Sequence, residues 1–324
     1  MSFRPPDDPA DANRHGQPRI VFVGGTGRSG THVLASLIAR NRRYAHVPVE
    51  SRFHVNPQGL SDLLTGEVTA EQFVRKLRRF WWYRIPAGQP VPAVLPRVRL
   101  GRETRGLYRA VSLDTFESAV ARFEAAIGEE RLEVSCRRLF LDLLWPIADA
   151  AGKRGLVEMS THTVARAPEL ARLFPDAKLI HIVRDGRDAG SSKVSKRQRR
   201  HHPRDAAEGV EWWHRRIERA ERAVALAPAG FVLPISLDEL VVGDAERELT
   251  KLTEFLRIKN PTPLRRFQQR RMTPANASRG RWRAGLDAAR QDAVNAAYER
   301  AIAGLEAAGY DSGAILRRVY ERAG

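Results

Sequence analysis

Cysteine is almost absent. Cys136 is the only one in 324 residues, so no disulfide can close within the chain. That excludes a disulfide-built secreted fold and fits a reducing, cytoplasmic setting. No apolar run approaches the ~20 residues of a membrane-spanning helix. The first 16 residues are polar, with Pro5, Pro6, Asp7 and Asp8, and lack the apolar stretch of a secretory signal. Lysine is scarce too: 7 of the 55 basic residues are lysine and the other 48 arginine. In an alanine-rich chain this preference is also what genomic base composition produces. Acidic residues number 38, which leaves a net charge of +17. Such a surplus suits an anionic ligand. Nucleic acid is one candidate, but no recognisable nucleic-acid-binding module accompanies the charge. At 43% hydrophobic and 29% charged residues, the composition is that of a folded globular protein.

What is present is an alternation of strand and helix patterns. Residues 1–18 read as a flexible lead-in and 19–324 as one domain. Arg19 to Val23 is a short buried strand; Gly24 to Gly30 breaks it, and Thr31 to Ala39 resumes with helical spacing. Tyr44 to Glu50 reads as a second strand. Residues 56–152 form a helical insertion, with helices near Thr69–Phe80, Thr115–Ile127 and Cys136–Ala151 and a loop over Ile85–Arg105. Strands then return at Gly155–Met159, Lys178–Val183 and Phe231–Ile235. Helices are expected at Val164–Phe174, Ala206–Leu226, Glu246–Leu256 and Ala284–Ala308. Such alternation implies an α/β fold, a mostly parallel sheet with helices on both faces. Ligands of such sheets bind at the carboxyl ends of the strands.

Two strand ends carry chemistry. The first loop reads Gly24-Gly25-Thr26-Gly27-Arg28-Ser29-Gly30-Thr31-His32. Its glycines let successive N–H groups converge, and the following helix adds its free N-terminal amides, which makes a nest for phosphate or sulfate. Gly25 to Gly30 has P-loop spacing, yet Thr31 and His32 stand where a nucleotide-triphosphate loop needs Lys and Ser/Thr. The cation sits inside the loop, at Arg28. The second loop follows Val183: Arg184-Asp185-Gly186-Arg187-Asp188, with Ser192 eight residues after Arg184 and Lys196 one turn further. Arg184 can reach an anion bidentately. On these residues alone three readings stay open. Arg184 and Ser192 hold a phosphate, Asp185 holds Mg²⁺ as in a nucleotide kinase or NTPase, or Arg184 pairs with Asp185 or Asp188.

Together the two loops resemble the sulfotransferases that use 3′-phosphoadenosine-5′-phosphosulfate (PAPS), and among them the tyrosylprotein sulfotransferases and related bacterial enzymes. The likeness extends to Glu50-Ser51-Arg52, Arg172-Leu173-Phe174-Pro175, Arg279-Gly280-Arg281-Trp282-Arg283 and Gly309-Tyr310-Asp311. It covers roughly residues 19–51 and 155–311, and not 56–152. The resemblance implies a P-loop NTPase-like α/β fold, PAPS as donor, no metal, and a hydroxyl acceptor on a carbohydrate, lipid, small molecule or tyrosine. Gly27, Arg28, Ser29, Gly30, Thr31 and His32 would cradle the 5′-phosphosulfate. Arg184 and Ser192 would hold the 3′-phosphate, Lys196 on the same helix face is a further cofactor-binding candidate, and Arg279, Gly280 and Arg281 would close over the cofactor. Arg28 would stabilise the leaving oxygen and Glu50 would be the general base, with His54 and His32 in reserve. An ion pair with Arg52 is the structural alternative for Glu50.

Two positions depart from the family pattern. His32 replaces a frequent Thr. Met159-Ser160-Thr161 lacks the family's lysine beside the sulfuryl group, so Thr161, His162 or an arginine from elsewhere would substitute. The insertion 56–152 is the expected acceptor side.

Overall fold

The computed structural model describes residues 19–83, 106–194, 203–277 and 279–322. The expected lead-in, the loop Ile85–Arg105 and Lys196 lie outside them. Five strands form one sheet: β1 (Ile20–Gly25), β2 (Tyr44–His46), β3 (Gly155–Met159), β4 (Lys178–Val183) and β5 (Val232–Ser236). Every pairing is parallel, in the order β2-β3-β1-β4-β5. The helices in chain order are α1 (Thr31–Ile38), α2 (Leu60–Leu64), α3 (Ala70–Lys76), α4 (Leu113–Ala126), α5 (Leu132–Ala150), α6 (Ala167–Leu173), α7 (Gly186–Val194), α8 (Ala206–Ala225), α9 (Leu237–Val242), α10 (Ala245–Phe255), α11 (Thr262–Arg271), α12 (Pro274–Ala277), α13 (Ala288–Ala307) and α14 (Asp311–Glu321).

The sheet is covered on both sides, as expected. Alternate strand residues face opposite layers. Ile20, Phe22, Leu156 and Leu179 pack with apolar residues of α2 to α6; Val21, Val23, Val157, Ile180 and Ile182 pack with those of α1 and α9 to α11. A third apolar cluster joins Val183 to α7, α8, α13 and α14. The helices of 56–152 thus supply most of one covering layer, and α5 lies against β2 and β3.

Strand β2 is shorter than the expected Tyr44–Glu50. The amide of Val47 still donates to Val157 (2.9 Å). Pro48 then has no N–H to continue the ladder, and the chain turns away. Glu50 therefore lies beyond the strand rather than at its end. Helices α2, α9, α11, α12 and α14 are not among those the sequence predicts. In α11 only Leu264 and Phe267 are buried, which leaves a weak apolar rhythm.

Caps mark the helix starts. Ser112, Asp205, Ser236, Asp244 and Asp287 each accept a hydrogen bond from the amide three residues on. Helix α1 is different. Its N-cap is Gly30, left-handed at φ 92°, with no side-chain cap and no acidic residue in the first turn. Its positive end is left for something outside the helix.

Candidate active site

The first loop sits at the carboxyl end of β1, the central strand. Gly25 must be glycine, because a Cβ there would lie 2.3 Å from Ser29 Oγ and 2.7 Å from the Ile182 carbonyl. Gly27 and Arg28 both have left-handed backbones, at φ 86° and 63°. For Arg28 that conformation costs of order 1–2 kcal/mol, a strain kept where curvature is needed. The Ser29 hydroxyl is buried and has no hydrogen-bond partner among the described residues. Buried polar groups are normally satisfied, so an orphan in this loop points to a missing ligand.

On one side of the loop lies a cavity of about 420 Å³. Arg28, Arg184, Arg271 and Arg281 line it, together with Ser191 and Ser192. Arg28 Nε donates to Ser192 Oγ (2.9 Å). Arg184 donates from Nη1 to the Arg28 carbonyl and from Nη2 to the Ala277 carbonyl, both at 2.8 Å. The structure therefore brings Arg28, Gly30, Arg184, Ser192 and Arg281 to one cavity; Thr31, the first residue of α1, is buried beside it, and Arg279 is not among the lining residues. Arg271 and Asn276, which also line it, belong to helices not expected from the sequence.

The acidic residues of the second loop have structural partners. Asp185 is gripped by Arg187, with Nη2 to Oδ2 at 2.6 Å. The Arg187 guanidinium is caged by the rings of Trp282, Tyr298 and Tyr320 at 4.7–5.0 Å. Asp188 accepts from the amides of Gly280 (2.8 Å) and Trp282 (3.4 Å), which tethers the Arg279–Arg283 segment over α7. Burial, then the neighbouring Asp185, pushes the Asp188 carboxyl above its ordinary value. Asp238, which accepts the Asp185 amide, is pushed up to about 6 by burial and by Asp185.

Glu50 is not among the residues lining the cavity. It accepts from Arg52 Nε (2.6 Å) and Thr161 Oγ1 (3.4 Å), and His32 Nε2 is 3.6 Å away. The ion pair with Arg52 is thus formed, and the carboxylate also reaches the first turn of α1. Thr161 links the two parts, since a Cβ on Gly27 would lie 2.9 Å from its methyl carbon. His162 is pushed down to about 4 by burial and by the guanidiniums of Arg216, Arg52 and Arg219, outweighing Glu50.

Behind Glu50 is a buried network that the sequence reading missed. Glu158, on β3, accepts from Ser51 Oγ (2.8 Å), Ser160 Oγ (2.7 Å) and the Ser51 amide (3.3 Å). His54 Nε2 is 3.0 Å from its other oxygen, and both side chains are fully buried. The Arg52 amide donates to Ser160 Oγ (3.1 Å), which holds Arg52 in its left-handed conformation at φ 60°. His54 is therefore part of the scaffold, with no exposed face for an acceptor.

The loops gather four arginines in a cavity beside an uncapped helix end, and comparison with known proteins gives the class. A model described as the Sulfotransferase family matches residues 18–262, and the chain belongs to that family. Among solved structures it is similar to the sulfotransferase domain of the Synechococcus PCC 7002 olefin synthase, with 18% identity over 89% of this chain and 96% of that one and a TM-score of 0.42. It is also similar to the sulfotransferase domain from the curacin biosynthetic pathway (13%, 81% and 82%, 0.42). A third is sulfotransferase STF1 from Mycobacterium tuberculosis H37Rv (13%, 78% and 71%, 0.42).

Proposed function

We propose that the chain transfers a sulfuryl group from PAPS to a hydroxyl of a carbohydrate, lipid, small molecule or tyrosine. The observation that carries this is the four-arginine cavity beside a glycine-rich loop with an uncapped helix end and an orphaned hydroxyl. These groups fit an anionic nucleotide. Arg184 and Ser192 hold the 3′-phosphate, and the loop amides with Arg28 hold the 5′-phosphosulfate. PAPS supplies an activated sulfuryl group. The acceptor oxygen forms a bond to sulfur while the bond from sulfur to the bridging phosphate oxygen breaks. The oxygen's proton passes to Glu50, and 3′,5′-ADP leaves. Positioning and fixed charge do most of such a transfer.

A screen for labelled sulfate transfer from PAPS to a metabolite extract tests the activity and finds the acceptor. Binding can be checked without one. 3′,5′-ADP should raise the melting temperature, and ATP with Mg²⁺ far less, because ATP lacks the 3′-phosphate. Arg184→Ala should weaken 3′,5′-ADP binding by roughly 1.5–3 kcal/mol in calorimetric titration. Equal stabilisation by ATP with Mg²⁺ would reverse the donor assignment, and unchanged affinity would remove Arg184 from the site.

The insertion 56–152 is the acceptor side in this reading. It begins directly after the Glu50–Arg52 segment, and connections of this kind commonly carry specificity. Substituting its exposed residues should change acceptor choice with 3′,5′-ADP binding intact. An acceptor analogue that crosslinks only to residues 284–324 would contradict it.

A further inference from the structure

Arg216, in the third turn of α8, is a charge that the transfer just described does not use. Its Nη1 donates to the Thr26 carbonyl in the first loop (3.2 Å). Trp212, one turn earlier, flanks the guanidinium, with the ring centroid 4.8 Å from Cζ. A Cβ placed on Gly27 would lie 3.9 Å from Nη1, so the guanidinium stands directly against the loop. Among the described residues no carboxylate pairs with it. Burial, Arg219 and Arg52 all act to lower its pKa. A guanidinium carries five N–H donors, and the Thr26 carbonyl takes one. A half-buried cation with like-charged neighbours and spare donors is arranged for an anion that arrives from outside.

Its position says which anion. The arginines that line the nucleotide cavity are Arg28, Arg184, Arg271 and Arg281, and Arg216 is not among them. It stands on the side of the loop where Thr161 touches Gly27 and donates to Glu50. Thr161 thus touches the same stretch of loop backbone as Arg216 and also the Glu50 carboxylate, which places Arg216 between the loop and the proposed base. Resting on the PAPS reading, we infer that Arg216 hydrogen-bonds the sulfuryl oxygens of the donor and holds that group toward Glu50, with Trp212 fixing the guanidinium plane. A cation already in place needs no reorganisation as charge shifts during transfer.

The distinguishing measurement is calorimetric titration of PAPS and of 3′,5′-ADP, which lacks the sulfuryl group, into the wild type, Arg216→Ala and Arg216→Gln. The Gln variant keeps an N–H for Thr26 and covers the case in which the Ala variant fails to fold. Affinity for PAPS should fall at least about tenfold, the low end for charge-assisted bonds, and that for 3′,5′-ADP should stay within about twofold. Unchanged PAPS affinity, or an equal loss for both ligands, would overturn the inference with the donor reading intact. A wild type that binds neither ligand would overturn the donor reading and this inference together.

Discussion

Glu50→Gln should lower kcat at least about 10²-fold, the loss typical of removing a general base. Glutamine keeps the size of the side chain and an oxygen for Arg52, but it cannot take a proton from the acceptor. Affinity for 3′,5′-ADP should stay within about twofold, because Glu50 is not among the residues lining the nucleotide cavity. The check is a pair of measurements: sulfate transfer to the acceptor found by screening, and titration with 3′,5′-ADP. The acidic limb of the pH–rate profile should flatten with it. Near-normal turnover would reassign the base to His32, which lies 3.6 Å from Glu50 and has an exposed ring. His54 offers no such alternative, because it is wholly enclosed with Glu158.

The parts of this molecule that could be read from its sequence are those whose pattern is local. Strand β1 begins as a continuous apolar run, and β4 is apolar apart from Lys178 and His181, because both of their faces are covered. The glycines and Arg28 of the first loop announce an anion nest by type and spacing. Arg184 and Ser192 lie eight residues apart on one loop and helix, and the structure brings both to the same cavity as Arg28. Strand β2 could not be bounded this way, because its end is set by the loss of an amide at Pro48 rather than by hydropathy.

Arg216 was illegible for a different reason. It is one arginine among many charges on an amphipathic helix, where a charge normally faces water. Only the packing of α8 against the turn after β3 brings it to Thr26 and Gly27. Glu158 did leave a signal. It interrupts an apolar strand that the fold covers on both faces, and a carboxylate there must find partners. His181 in β4 repeats the pattern, 3.4 Å from Glu221.

Glu158→Ala should produce the largest loss of stability, about 3–5 kcal/mol at neutral pH, because a fully buried acceptor shared by several donors would be removed. The alanine would leave the hydroxyls of Ser51 and Ser160 and the Ser51 amide without their acceptor, and the His54 ring without its carboxylate. Glu158→Gln retains one oxygen and should lose less. The pH dependence has a definite sign. Burial works to raise the Glu158 carboxyl, but His54 and the hydrogen bonds from Ser160 and Ser51 outweigh it and hold the pKa below the ordinary value. Its contribution is therefore fully present above the unfolded carboxyl pKa of roughly 4.3 and is lost as pH falls through the lower folded value. Urea titrations from pH 7 down to pH 3 should show the gap between wild type and the Ala variant narrowing. The same network pins Arg52 in its left-handed conformation, and Arg52 in turn grips Glu50. Under conditions where the Ala variant is still folded, turnover should fall while 3′,5′-ADP affinity holds. A variant with wild-type stability and turnover would mean that the serines and His54 find other partners, and that Glu50 is positioned from elsewhere.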